Sequence, residues 1–209
     1  MFSNPDKKRY NVYARLAIQL RERTYLHLYC VGIVSWLFFY LVDDMLTRQP
    51  CGQWIPTISE VFAAVPDTKK IFIEIKCGPR IVAPLLDRIE QSELRPDQIV
   101  ISSLQARVIQ ALKIQTVKYK ALWLSGFKKD PDGKIIPALE DILRTLQRIQ
   151  ADGLSSSPDI PAEFIRGITS RGYEYHVWAV DDLETAKRFK TRGAASITTN
   201  VPGQLKMMR

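Results

Sequence analysis

The chain has 209 residues, enough for one large domain or two small ones with a substantial core. Its 46% hydrophobic and 25% charged residues are ordinary for a globular protein and exclude a low-complexity chain. The net charge of +8 permits an anionic partner, but no arginine-rich run interleaved with aromatic residues is present, so we expect no nucleic-acid partner.

The three cysteines, Cys30, Cys51 and Cys77, have no short metal-binding spacing. An odd number without such spacing argues against a disulfide framework or a zinc site and favours free thiols. We therefore expect a reducing compartment and a cytoplasmic location.

Residues 1–50 form an atypical N-terminal segment, distinct from residues 51–209. It begins with basic residues and runs into "LHLYCVGIVSWLFFYLV", residues 26–42. This apolar run reaches only the lower limit for crossing a bilayer, about 17 residues. Two interpretations stay open: a membrane anchor through residues 26–42, or a buried helix and strand that pack on the following domain.

From residue 54 onward the pattern is regular. "IPTISEVFAAVP" predicts an amphipathic helix with Thr57 as N-cap and Glu60 at the capping-box position. Short apolar runs then alternate with helical stretches. The predicted strands are 71–75, 99–102, 119–123, 153–155, 173–180 and 195–198. The predicted helices are about 80–92, 105–116, 138–149, 161–171 and 183–192.

This alternation predicts an α/β fold with a parallel sheet whose strands are covered on both faces. An open doubly wound sheet would usually carry a glycine-rich phosphate loop after its first strand, and none is present. Polar residues instead follow the strands, as at the active-site rim of a barrel. They are Glu74, Lys76, Ser102, Ser103, Ser155 to Ser157, Asp181, Asp182 and Thr198 to Asn200. We expect a TIM-type (β/α) barrel that is incomplete, with about six of eight strand–helix units.

Five segments in order resemble motifs of the glycerophosphodiester phosphodiesterases, a family with a TIM-type barrel. They are "IPTISEVFAAVP", "IFIEIK", "VISSLQ", "YHVWAVDD" and "GAASITTNVP", within residues 54–203. The resemblance implies metal-assisted hydrolysis of a small glycerophosphodiester to glycerol phosphate and an alcohol.

The same resemblance implies roles for Glu74 and Lys76 as catalytic residues. Glu74 would be a ligand of a divalent cation, Mg or Ca, and Lys76 would contact the substrate phosphate. A hard cation takes carboxylate oxygens, and an ammonium is a compact charge suited to a phosphate oxygen. The alternative is a plain Glu–Lys ion pair at a barrel rim.

Ser103 and Trp178 are the other substrate-binding candidates that the resemblance implies, with Trp178 bordering the glycerol end. A serine at a strand-to-helix junction is equally well explained by capping, and an indole buries well without a function. His176 shares the strand face of Trp178 but lies further from the strand end, so we interpret it as structural.

The family opens with His-Arg-Gly, Glu-x-Asp and His-Asp motifs, and residues 1–53 contain none of them. His27 is the only histidine upstream, and "LVDDMLT" resembles the Glu-x-Asp region only faintly. The missing groups include the general acid and base, each typically worth about 10²- to 10⁴-fold in rate. We therefore predict feeble hydrolysis or none by this chain alone.

A barrel without its first strands would leave the strands at 71–75 and 195–198 with open edges, which recruit partners. Self-association through these edges, or coverage by the N-terminal segment, is therefore expected. The alternative function is a catalytically incomplete relative that acts as a phosphate-binding or membrane-tethered domain.

Overall fold

A computed structural model describes residues 57–205 together with three short N-terminal strands. These are β1 (Asn11–Tyr13), β2 (Tyr25–Leu28) and β3 (Phe38–Tyr40). Within the described residues the chain folds into a curved sheet of parallel strands with helices on its outer face, an incomplete (β/α) barrel.

Strands and helices alternate from residue 58 to residue 205. The strands are β4 (Ile71–Glu74), β5 (Ile99–Ser103), β6 (Lys120–Ser125), β7 (Lys128–Lys129), β8 (Ile135–Ile136), β9 (Gly153–Ser156), β10 (Glu174–Val177) and β11 (Ser196–Thr199). The helices are α1 (Ile58–Ala63), α2 (Val82–Glu90), α3 (Ala106–Gln115), α4 (Leu139–Ile149), α5 (Ala162–Thr169), α6 (Leu183–Thr191) and α7 (Pro202–Leu205). The six strands and six long helices predicted from residue 57 onward are thus all present.

The main sheet has seven parallel strands in the order β2-β11-β10-β9-β6-β5-β4. Alternate residues face opposite sides of the sheet. Ile71 and Ile73 of β4 join the large core beneath the helices, whereas Phe72 packs with Val100 and Leu122 in a separate small cluster. That small cluster marks the inner, concave face, which also carries Glu74.

The sheet edge at the last strand is covered by the N-terminal segment. β2 pairs in parallel with β11, with His27 opposite Thr198 in register. Of the two outcomes expected for the edge at 195–198, self-association or coverage by the N-terminal segment, the structure shows coverage, by β2. In the described part of the chain, β4 is hydrogen-bonded to one strand, β5, and β1 pairs antiparallel with β3.

The apolar run at residues 26–42 overlaps two strands, β2 (Tyr25–Leu28) and β3 (Phe38–Tyr40). The rest of the run lies outside the described residues. No helix in the parts of the chain that the structure describes is both long and apolar enough to cross a membrane. The boundary at residue 50 between two segments stays a prediction.

The first helix begins at the residue that the sequence predicts, and a tight turn closes the small hairpin. Thr57 and Glu60 form the predicted capping box: the Glu60 carboxylate accepts from Thr57 N at 2.6 Å, and Thr57 Oγ1 accepts from Glu60 N at 3.3 Å. The turn "DPDGK", residues 130–134, closes the small antiparallel hairpin of β7 and β8, with Gly133 at φ +80°.

Candidate active site at the carboxyl rim of the sheet

Glu74 and Lys76 lie at the rim where the parallel strands end. Glu74 is the last residue of β4, pairs in register with Ser102, and is 5% exposed. The Lys76 side chain is 26% exposed, and its Nζ lies 3.8 Å from Glu74 Oε1. The two groups thus form an ion pair on the inner lip of the sheet, at the strand end where the resemblance implies a phosphate and metal site.

Ser103 follows Ser102 at the end of β5, and its side chain points to the opposite face of the sheet from Glu74. It is fully buried, its hydroxyl donates to the Ile75 carbonyl at 2.6 Å, and it accepts from Gln105 N at 3.1 Å. The hydroxyl therefore joins two backbone segments, although the N-cap residue of α3 is Gln105 rather than Ser103. This geometry favours the structural alternative, and substrate binding by Ser103 stays a prediction.

Trp178 follows β10 at the same end of the sheet as Glu74. Its backbone N donates to the Ser156 carbonyl at 2.9 Å, and its side chain is half-buried. Three strands, β5, β6 and β9, separate β4 from β10 in the sheet order. A substrate that touched both Trp178 and Lys76 would therefore span the mouth of the barrel.

The two loops beside Trp178 are joined by one carboxylate. Asp181 accepts from Asn200 N and Asn200 Nδ2, both at 2.7 Å, and from Thr199 Oγ1 at 3.1 Å. Partial burial raises the pKa of Asp181, but these hydrogen bonds outweigh it and hold the pKa below its usual range. Asp182 caps α6 by accepting from Thr185 N at 2.7 Å. Both aspartates thus use their carboxylates in hydrogen bonds that hold the backbone of the rim.

A polar row that the sequence does not reveal crosses the inner face below the rim. His176 Nδ1 lies 2.6 Å from Ser196 Oγ, and His176 Nε2 lies 3.1 Å from Glu174 Oε2. The other oxygen of Glu174 pairs with the Lys120 ammonium. The row, Lys120–Glu174–His176–Ser196, therefore links β6, β10 and β11 inside the barrel.

Burial and hydrogen bonding set the charges in this row. Burial lowers the pKa of His176, so the ring is neutral at pH 7. The bond from His176, followed by the bond from Lys120, holds the pKa of Glu174 at about 2. An ionised carboxylate only accepts, so Nε2 carries the ring proton and Nδ1 accepts from the Ser196 hydroxyl. This arrangement agrees with the structural interpretation of His176.

The described residues also line a cavity of about 390 Å³ at the opposite end of the sheet. Its walls include Ile99, Val117, Tyr119 and Lys120, at the amino ends of the strands. The chemistry of a parallel barrel belongs to the carboxyl ends. The cavity is therefore a different place from the rim that holds Glu74 and Lys76.

Comparison with known proteins identifies one family. The model of the glycerophosphoryl diester phosphodiesterase family matches residues 19–204, so the likeness begins well before residue 54, where the motifs begin. A comparison with curated proteins finds none that matches the chain.

Several solved structures of similar fold are glycerophosphodiester phosphodiesterases or related phosphodiesterases. A candidate glycerophosphodiester phosphodiesterase from Galdieria sulphuraria has a TM-score of 0.63 at 20% identity, over 79% of this chain and 70% of that one. A Thermotoga maritima glycerophosphodiester phosphodiesterase has a TM-score of 0.59 at 16% identity, over 82% and 79%. A phosphodiesterase from Oleispira antarctica, in complex with the product sn-glycerol-3-phosphate, has a TM-score of 0.61 at 15% identity, over 74% and 61%. At these identities the likeness establishes the barrel fold.

Proposed function

Because the chain belongs to the glycerophosphoryl diester phosphodiesterase family, we propose that it hydrolyses glycerophosphodiesters to glycerol phosphate and an alcohol. The observation that carries the proposal is the Glu74–Lys76 pair, 3.8 Å apart at the carboxyl rim of a parallel barrel sheet. A rim of this kind is where barrel enzymes place their chemistry.

Lys76 is proposed to bind a non-bridging oxygen of the phosphodiester. Its ammonium is a compact, three-donor charge on a flexible stem, partly exposed and therefore accessible to a small anion. Trp178 is proposed to border the glycerol end of the substrate from across the mouth, where its half-buried indole offers apolar area. Product glycerol phosphate would be held by the same Lys76 contact.

Glu74 is proposed to supply one oxygen ligand to a divalent cation. Such a cation, when bound, polarises the phosphoryl group and neutralises developing negative charge. Within the described residues no group of three or more His, Cys, Asp and Glu side chains is placed to hold a metal ion. A single carboxylate is one of the several oxygen ligands that Mg²⁺ or Ca²⁺ takes, so Glu74 would hold either cation together with oxygens from the substrate phosphate and from water.

A second candidate function is phosphate binding without efficient turnover. It is favoured by the absence of His-Arg-Gly, Glu-x-Asp and His-Asp motifs from residues 1–53. Without a positioned acid to protonate the leaving alkoxide and a base to activate the nucleophile, a rate factor of about 10² to 10⁴ is lost for each. The rim would still bind a phosphate through Lys76.

Turnover of glycerophosphocholine with added Mg²⁺ or Ca²⁺ tests the first proposal. We expect slow hydrolysis by the wild type. The rate should fall by about 10²-fold or more in both Glu74→Gln and Lys76→Met, because each variant lacks a protein charge that would stabilise the transition state. Glu184→Gln and Lys187→Met, which alter an exposed pair on α6, are the matched controls and should leave the rate unchanged.

The outcomes separate the two functions. Equal rates in the wild type and both rim variants would place the chemistry away from Glu74 and Lys76. Calorimetric binding of sn-glycerol 3-phosphate that requires Lys76, in a protein without detectable turnover, would select the phosphate-binding function instead.

A further inference from the structure

The backbone that carries Lys76 leaves the sheet immediately after Glu74. The parallel ladder continues for one more bond, from Ile75 N to the Ser102 carbonyl at 2.7 Å. Three consecutive carbonyls then follow, those of Ile75, Lys76 and Cys77. Such groups need partners when a strand ends, since leaving a buried carbonyl unsatisfied is costly.

Two side chains from the loop between β5 and α3 bind these three carbonyls. Ser103 Oγ donates to Ile75 O at 2.6 Å. Gln105 Nε2 donates to Lys76 O at 3.1 Å and, less closely, to Cys77 O at 3.4 Å. The residues that flank the Lys76 side chain are therefore held from one side by a single clamp, formed by Ser103 and Gln105.

The clamp is itself fixed in place. Arg107 Nε donates to Gln105 Oε1 at 2.9 Å, which orients the amide so that its NH₂ group faces the carbonyls. Gln105 N donates to Ser103 Oγ at 3.1 Å, so the two clamp residues are also bonded to each other. Helix α3 begins at the next residue, Ala106, which anchors the loop on a rigid element.

This arrangement matters because a lysine side chain has four rotatable bonds, so the position of its ammonium depends on a fixed backbone as well as on its ion pair with Glu74. A shift of about 1 Å at a binding or catalytic group can cost about 10²-fold in rate. We propose that Gln105, assisted by Ser103, is a positioning residue that sets the backbone of Lys76 so that its ammonium meets the substrate phosphate. The inference rests on the proposed function and deepens it.

The test uses a double-mutant cycle between Gln105 and Lys76. Gln105→Met keeps the length of the side chain and its neutrality but removes the NH₂ donor, and Gln115→Met at the exposed end of α3 is the matched control. We expect Gln105→Met to raise the dissociation constant of sn-glycerol 3-phosphate and the KM of glycerophosphocholine by about tenfold. In a Lys76→Met background the same change should alter the dissociation constant by less than about twofold.

A second measurement reports on the clamp without any activity. Cys77 is half-buried beside the clamp, so its alkylation rate, read from the peptide mass spectrum, measures how firmly residues 75–77 are held. We expect faster alkylation in Gln105→Met and Ser103→Ala than in the wild type, and unchanged alkylation in Gln115→Met. Gln105→Asn keeps an NH₂ donor on a shorter side chain, so its alkylation rate should lie between those of the wild type and Gln105→Met.

The failures are distinguishable. If the wild type binds phosphate but Gln105→Met has the same effect with and without Lys76, the positioning role is overturned while the proposed function stands. Unchanged Cys77 alkylation in Gln105→Met would overturn the clamp itself. A wild type that neither binds nor turns over these ligands would overturn the proposed function, and the positioning role with it.

Discussion

His176 is held between two different hydrogen-bond partners and one aromatic ring. Glu174 accepts from its Nε2, Ser196 donates to its Nδ1, and the Phe72 ring packs edge-on with centroids 6.3 Å apart. The charged groups that face it are Glu174 on its own strand, Lys120 on β6, and Lys70 just before β4. Protonating the ring would put a positive charge into a buried site next to two ammonium groups.

A loss of stability on acidification follows. The pKa of His176 is lower in the folded protein than in the unfolded chain, so the unfolded state binds more protons below about pH 6.5. The free energy of unfolding should therefore fall as the pH decreases from about 6.5. Glu174, with its pKa at about 2, adds a second fall below about pH 4.5. Urea unfolding from pH 8 to pH 3 measures both.

Replacing the imidazole separates the two contributions. His176→Gln keeps a hydrogen-bonding side chain that does not titrate, so the fall that begins near pH 6.5 should disappear while the fall below pH 4.5 remains. The chain has two histidines, so the imidazole signals in a proton NMR titration are readily assigned with this variant. A His176 signal that titrates above pH 6.5 would contradict the prediction.

Strands β9 and β10 approach each other closely at their amino ends. Gly153 pairs in register with Glu174, and a Cβ built on Gly153 would lie 2.3 Å from the Glu174 carbonyl oxygen. Backbone, unlike a flexible side-chain end, cannot move aside cheaply. The glycine therefore permits the register that places Glu174 beside Lys120 and His176.

Gly153→Ala should accordingly destabilise the protein by at least about 2 kcal/mol, through forced separation of β9 and β10. Gly126→Ala is the matched control, because a Cβ there meets no atom within 4 Å. Thermal and urea unfolding of the two variants measure the difference. Equal stability of both variants would show that the two strands tolerate a wider spacing.

The elements from residue 57 onward could be predicted because strands covered on both faces read as continuous apolar runs. β2 could not be assigned, because its four residues lie at the start of a longer apolar run that suits a helix, a strand or a membrane span equally. The hairpin strands Lys128–Lys129 and Ile135–Ile136 are too short for a periodic signal.

The site was only partly predictable for a related reason. Glu74 and Lys76 are separated by one residue, so their placement together at the end of one strand can be predicted from a local motif. The row from Lys120 to Ser196 depends on the register of strands far apart in sequence, which no local pattern encodes. Gln105 ends the segment "VISSLQ", but the resemblance implies no role for it, and its contacts with the carbonyls of Lys76 and Cys77 are visible only in the structure.

For the whole molecule, the decisive contact is the one that joins the N-terminal segment to the barrel. β2 pairs with β11 along four residues, from Tyr25 opposite Ser196 to Leu28 opposite Thr199. Removing β2 would expose the backbone N–H and C=O groups of β11, and an exposed parallel edge recruits other strands. Within the N-terminal segment, β2 is thus an integral strand of the main sheet.

Two truncated chains test this role. A chain of residues 19–209 retains β2 and begins where the family likeness begins, whereas a chain of residues 29–209 lacks β2. We expect the shorter chain to unfold at lower temperature and, in sedimentation velocity, to self-associate as its concentration rises, because β11 is then an open edge. The longer truncation product is the control for loss of residues 1–18. Indistinguishable melting and sedimentation of the two chains would mean that the pairing of β2 with β11 contributes nothing to holding the barrel together.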